Sequence, residues 1–164
     1  MTYNLVSAHS GHITFKSEKG KGTTFTVCIP TRQDEIAARI LLVDDEKQIR
    51  DMLKQTLAKR KSLLVEDADN GIEACIKLGS LRPDLLILDI NMPEMDGLEV
   101  CRTIRKDPNL SSVKVMIMTG YPNDPRVKQV AELGFTHIYT KPLKVADFLK
   151  EIDNILLQPT RVMI

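Results

Sequence analysis

Apolar and polar positions along this chain follow two different rhythms, and the change between them divides it. Residues 1 to 35 hold short period-two runs, His12-Ile13-Thr14-Phe15 and Thr24-Phe25-Thr26-Val27, set among Gly11, Gly20 and Gly22. Alternation interrupted by glycine predicts a β-hairpin, which Pro30 ends. Thr31 to Ala38 is polar enough for a linker or a short helix. From Arg39 the rhythm becomes one of short apolar runs alternating with stripes of helical spacing, the pattern of a doubly wound parallel sheet.

Five such pairs fit residues 39 to 158, with 159 to 164 left as a tail. Ile40 to Val43 predicts the first strand, and Ile49, Met52, Leu53, Thr56 and Leu57 form the stripe of its helix. Leu63 to Val65 is a shorter strand, followed by a helix with Ile72, Cys75 and Ile76 turned inward. Leu85 to Leu88 is apolar without alternation, as a strand buried on both faces reads, and it stops at Asp89. Asn91, Met92, Pro93 and Asp96-Gly97 then force a turn into a helix carrying Val100, Cys101 and Ile104, which ends at Asp107-Pro108. Val113 to Met118 and Phe135 to Tyr139 are the last strands. Their helices carry Val127, Val130 and Ala131, then Val145, Phe148, Leu149, Ile152, Ile155 and Leu156.

Composition narrows the function classes. Twenty-three basic residues face 22 acidic ones, so no charge footprint of a nucleic-acid or membrane-surface binder exists. No apolar run reaches the length of a membrane span, and Met1 to Ser10 lacks the order of a signal peptide, so a soluble, cytoplasmic chain is expected. Cys28, Cys75 and Cys101 are odd in number and show no CxxC spacing, against a disulfide framework or zinc site. His9 and His12 offer two metal ligands without a third, which favours surface or packing roles.

Parallel strands end on one edge of their sheet, where ligands bind in open α/β folds. Asp44-Asp45, Asp89, Thr119 and Lys141 therefore converge although they are spread over the chain. Three crowded carboxylates repel one another unless a cation sits among them, and a hard divalent ion, magnesium first, suits oxygen donors. Asp45 and Asp89 are the expected direct ligands, the Asn91 carbonyl the third, and Asp44 a helper, directly or through water. A carboxylate between such an ion and an ammonium group is equipped to accept a phosphoryl group, with Asp89 as nucleophile and Lys141 neutralising the transferred oxygens. Thr119, at the start of a loop, could bond the phosphoryl group and move with it.

The segments LLVDDE, LLILDINMPEMDG, MIMTG and YTKPL resemble the four signature segments of response-regulator receiver domains, over about Arg39 to Leu157. The resemblance implies a flavodoxin-like fold, Asp89 as phosphoacceptor, Asp44 and Asp45 as the acidic pair, Thr119 as switch hydroxyl and Lys141 as phosphate-binding lysine. It also implies a phosphohistidine donor on a sensor histidine kinase or phosphotransfer protein, and a domain that promotes its own phosphorylation and dephosphorylation. One departure concerns output: the family often has an aromatic residue three before the lysine, where this chain has Ile138. Tyr139 is adjacent, and strand alternation points it to the opposite face.

Ser17 to Pro30, SEKGKGTTFTVCIP, is similar to the last hairpin of the ATP-binding domain of sensor histidine kinases. The Asn-bearing helix and Asp-x-Gly-x-Gly loop of that family are absent, so residues 1 to 30 read as a remnant, and the chain as part of a hybrid kinase but no kinase itself. Its apolar residues are expected to seek the last strand and helix of the receiver, or a second copy of the chain as in a homodimer. Two other functions compete. An aspartate-nucleophile phosphatase of the haloacid-dehalogenase type wants Asp-x-Asp, and Asn91 stands where its acid would be. A pseudo-receiver that only binds partners would have no use for the retained acid, hydroxyl and amine groups.

Overall fold

The structure is a computed structural model that describes residues 12–18, 22–28 and 38–157, the first two segments for their backbone and Gly22. The linker up to residue 37, His9, the tail, and the side chains of His12, Phe15, Phe25, Val27 and Cys28 lie outside the described residues. The chain divides into two units, Met1–Glu35 and Ile36–Ile164.

In the first unit β1 (His12–Glu18) and β2 (Gly22–Cys28) pair antiparallel, with Phe15 opposite Phe25 and Glu18 opposite Gly22. This is the hairpin that the alternation predicts.

The second unit alternates β3 (Ala38–Val43), α1 (Lys47–Ala58), β4 (Leu63–Ala68), α2 (Gly71–Leu81), β5 (Leu85–Asp89), α3 (Gly97–Lys106), β6 (Lys114–Thr119), α4 (Pro125–Glu132), β7 (His137–Thr140) and α5 (Val145–Leu157), with one 3-10 turn at Pro108–Leu110. All five strands are parallel, in the order β4-β3-β5-β6-β7. The chain leaves β3 in one direction to make β4 and returns to its other side to make β5, so the sheet's switch point opens between β3 and β5. β3 begins at Ala38, the last residue of the stretch that reads as linker.

Every residue of β5 is buried, and alternation sends its side chains to two cores. Leu86 and Leu88 join Val100, Cys101 and Ile104 of α3 and Val130 of α4 on one face; Leu85 and Ile87 join Leu53 and Leu57 of α1 and Phe148 of α5 on the other. Each such side chain contributes roughly 1.5–3 kcal/mol by leaving water. The Cys101 thiol is pushed up to about 12 by this burial, so it packs as a small hydrophobe.

The helix stripes hold with one correction. Ile72 and Ile76 of α2 do not turn inward: they are 53% and 68% exposed, and Gly71, Ala74 and Leu78 face the sheet instead, with Cys75 packed at the margin. The reason is distance. A Cβ on Gly71 would lie 2.4 Å from the Met95 carbonyl oxygen, so the start of α2 approaches the β5–α3 loop too closely for any side chain, and the small residues take the inner face. Met52 of α1 and Val145 of α5 are likewise on the exposed margin of their stripes.

Three of the helices that follow strands start on a side-chain cap. Asn70 caps α2 by accepting the Glu73 N–H, Asp96 caps α3 on Glu99, and Asp124 caps α4 on Arg126. Each cap satisfies a backbone donor that the first helical turn leaves without a partner, and so fixes where the preceding loop ends.

Candidate functional site

β5 delivers Asp89 to the carboxyl edge of the sheet, and the chain cannot leave that edge loosely. Gly97 N–H donates to the Ile90 carbonyl at 3.2 Å, and a Cβ on Gly97 would sit 2.6 Å from the Asp89 carbonyl oxygen. α3 therefore starts directly against the strand end. Asp89 is nearly fully buried, its Oδ1 accepting the Asn91 N–H at 3.1 Å.

β3 ends beside it. Asp44 is fully buried, Asp45 is exposed, and one carboxylate oxygen from each of Asp44, Asp45 and Asp89 lies within 4.8 Å of the others. Lys141 follows the end of β7, precedes a cis peptide to Pro142, and reaches across the edge. Its Nζ donates to Asp89 Oδ2 at 2.7 Å and Asp44 Oδ2 at 2.9 Å. Asp44 Oδ1 also accepts the Glu46 N–H at 2.9 Å.

The electrostatics of this group are opposed. Burial pushes the Asp44 carboxyl above its ordinary range, and the Lys141 and Glu46 hydrogen bonds only partly offset it. Burial works against the charge on Lys141 as well, but hydrogen bonds and charge from Asp89 and Asp44 outweigh it and raise its pKa. One ammonium group thus serves two carboxylates while a third stands at the exposed side. That donor set, carboxylate oxygens of Asp44, Asp45 and Asp89 within 4.8 Å of one another with Asp45 on the exposed side, fits a hard divalent ion such as magnesium.

Thr119 is the last residue of β6 and is fully buried. Its Oγ1 accepts the Tyr121 N–H at 2.9 Å, and its carbonyl accepts the Lys141 N–H at 2.8 Å, so hydroxyl and lysine share a backbone link. β7 alternates as expected: Ile138 is on the exposed face, while Tyr139 packs edge-on against Phe148 at 5.5 Å and its hydroxyl donates to the Lys144 carbonyl. The sequence-predicted residues Asp44, Asp45, Asp89 and Lys141 are thus in one group, Thr119 is on the adjoining strand end, and Asn91 follows Asp89 with its N–H turned back onto it.

Two arginines stand behind the group without a sequence expectation. Arg50, buried in α1, donates from Nη1 to the carbonyls of Asp44 at 2.6 Å and Asp45 at 3.2 Å, and from Nε to Asp67 Oδ2 at 3.2 Å. It falls in step with Leu53 and Leu57, and a basic residue on an apolar stripe was the available signal. Arg126, on the first turn of α4, bonds Asn91, Asp96 and Asp124. Its signal was fainter, an arginine just inside the cap Asp124-Pro125.

The comparisons with known proteins agree with this fold. The family model for the Response regulator receiver domain matches residues 40–153. Response regulator MprA of Mycobacterium ulcerans (strain Agy99) is 34% identical over 123 residues, covering 74% of this chain and 51% of the relative. The chain therefore spans about half the length of the curated relatives it matches. Among solved structures, chemotaxis protein CheY4 of Vibrio cholerae is 30% identical with a TM-score of 0.66, covering 72% of this chain and 98% of its own. The signal receiver domain of a signal transduction histidine kinase from Syntrophus aciditrophicus is 31% identical with a TM-score of 0.67, covering 77% and 97%. With its parallel sheet, its strand-end acids and its lysine, the chain belongs to the response regulator receiver domain family.

Proposed function

We propose that this chain is a phosphoacceptor in two-component signalling, with Asp89 as the residue that takes the phosphoryl group. The observation that carries the reading is the Lys141 ammonium held 2.7 Å from Asp89 and 2.9 Å from Asp44 at an edge where Asp45 completes the acidic set. A carboxylate oxygen of Asp89 forms the new bond to phosphorus as the bond from phosphorus to the donor histidine's nitrogen breaks, the imidazole leaving with that electron pair. Lys141, bonded to Asp89 and Asp44 beforehand, turns to the transferred oxygens and holds their charge. Asp44, Asp45, Asp89 and the Asn91 carbonyl are the residues that would hold magnesium, which supplies further neutralisation of the phosphoryl oxygens when bound. Thr119 then exchanges its Tyr121 N–H for a bond to the phosphoryl group, and the loop after β6 follows.

The donor is a phosphohistidine on a sensor histidine kinase or phosphotransfer protein of the cytoplasm. The pairing of β1 with β2 suits the kinase-type hairpin that the sequence resembles, and a receiver of similar sequence occurs in the Syntrophus aciditrophicus histidine kinase. Both support a hybrid kinase as the origin of the chain, with the hairpin as part of its ATP-binding domain.

Intact-mass measurement after incubation with magnesium and acetyl phosphate tests the assignment. The wild type should gain one phosphoryl group and Asp89→Asn none. Asp45→Ala should lose magnesium affinity, while Lys141→Ala should keep the ion and lose transfer. A modified Asp44, Asp45 or histidine in place of Asp89 would overturn the reading.

A further inference from the structure

Arg126 makes more side-chain hydrogen bonds than the capping of its own helix requires. Its Nε and Nη2 donate to the two carboxylate oxygens of Asp124 at 3.0 and 2.7 Å, its Nη1 donates to Asp96 Oδ2 at 3.3 Å, and its Nη2 also donates to Asn91 Oδ1. These acceptors come from two different loops. Asn91 and Asp96 belong to the loop between β5 and α3, and Asp124 to the loop that begins after Thr119.

Each acceptor has a second duty. Asp96 Oδ1 caps α3 on the Glu99 N–H, and Asp124 Oδ1 caps α4 on the Arg126 N–H. Asn91 donates its own N–H to Asp89 Oδ1. A single guanidinium thus ties the residue two past Asp89 to the N-termini of two helices. A planar fork spreads its donors in fixed directions and holds acceptors on three sides at once, whereas a lysine presents all its donors from a single nitrogen. Asp124, held down to about 2 by Arg126, stays ionised across the working pH range and keeps the clamp closed.

Asn91 is therefore held at two points on either side of its Cα: its backbone N–H on Asp89 and its side-chain amide oxygen on Arg126, which together fix the orientation of the residue whose carbonyl would face the cation. We propose that Arg126 is a positioning residue for the phosphoacceptor site, presenting the Asn91 peptide to the bound cation and joining the start of α4 to that peptide. The inference rests on the reading that the Asp44, Asp45 and Asp89 edge takes magnesium. It gives the chain a link from the site to α4 that does not need an aromatic ring at Ile138.

The test is magnesium titration by calorimetry, with backbone hydrogen exchange of α4 measured with and without the ion. In the wild type, magnesium should slow exchange at Val127 and Lys128 as well as around Asn91. Arg126→Ala should bind magnesium about tenfold more weakly, the usual scale for losing a residue that orients a ligand, and its α4 exchange should no longer respond to the ion. Arg126→Lys keeps the charge and stem and should resemble the alanine variant, because the three-way geometry is lost. A role confined to helix stability would speed α4 exchange equally with and without magnesium and leave the affinity unchanged, which overturns the proposal. Full recovery in the lysine variant overturns it too, since charge alone would then suffice. A wild type that binds no magnesium would overturn the parent reading and this one together, whereas a wild type that binds and a folded Arg126→Ala that binds equally well sinks only this one.

Discussion

Asp67, at the end of β4, carries the clearest consequence of a single residue's surroundings. Its carboxylate accepts from Lys54 at 2.7 Å and from Arg50 at 3.2 Å. Burial works to raise its pKa, but those two hydrogen bonds and charges outweigh it and hold the group below its ordinary 3.8. The folded chain then binds fewer protons than the unfolded one, so this contribution to stability is complete above 3.8 and is lost as pH falls through the folded value. Asp44 has the opposite sign: its raised pKa means that folding costs more as pH climbs from 3.8 through the folded value. Melting curves between about pH 5 and about pH 3 should show Asp67→Asn losing less stability on acidification than the wild type. An equally steep loss in both would show that other carboxylates govern the acid limb. The site acids were legible because each ends an apolar run, a signal local to a few residues. Arg50 and Arg126 were not, because their partners come from elements that only the fold brings near.

At the scale of the element, β5 and α3 read directly from sequence, since an unbroken apolar run and a stripe at Val100, Cys101 and Ile104 each admit one placement. α2 misled because its largest apolar residues are not its buried ones. Ile72 and Ile76 share a face by spacing, but the close approach of Gly71 to Met95 rotates the helix so that Ala74 and Leu78 meet the sheet. Size on one face was visible, and contact distance on the other was not. Ile72→Gln with Ile76→Gln should therefore change stability by no more than about 0.5 kcal/mol each, whereas Leu78→Ala should cost roughly 2–5 kcal/mol. Denaturant midpoints decide between the faces. A large loss in the glutamine variant with a small one at Leu78 would restore the inward placement of the isoleucines.

For the whole molecule, the division into Met1–Glu35 and Ile36–Ile164 has a direct test. Both cores and every site residue belong to the second unit, so a chain lacking residues 1 to 35 should fold and take a phosphoryl group from acetyl phosphate at the wild-type rate. A folded truncation that cannot be phosphorylated would tie the hairpin to the chemistry. Within the second unit, β5 lies at the centre of the sheet, between β3 and β6, with buried side chains on both faces. Such a strand has no edge from which to fray, and its amides exchange only when the domain opens as a whole, long after the edge strands β4 and β7. A group attached at Asp89 is thus moored to the slowest-opening part of the protein. Under the proposed function, its lifetime would then be a clock set by water reaching the site, which the ordinary breathing of the fold would not advance.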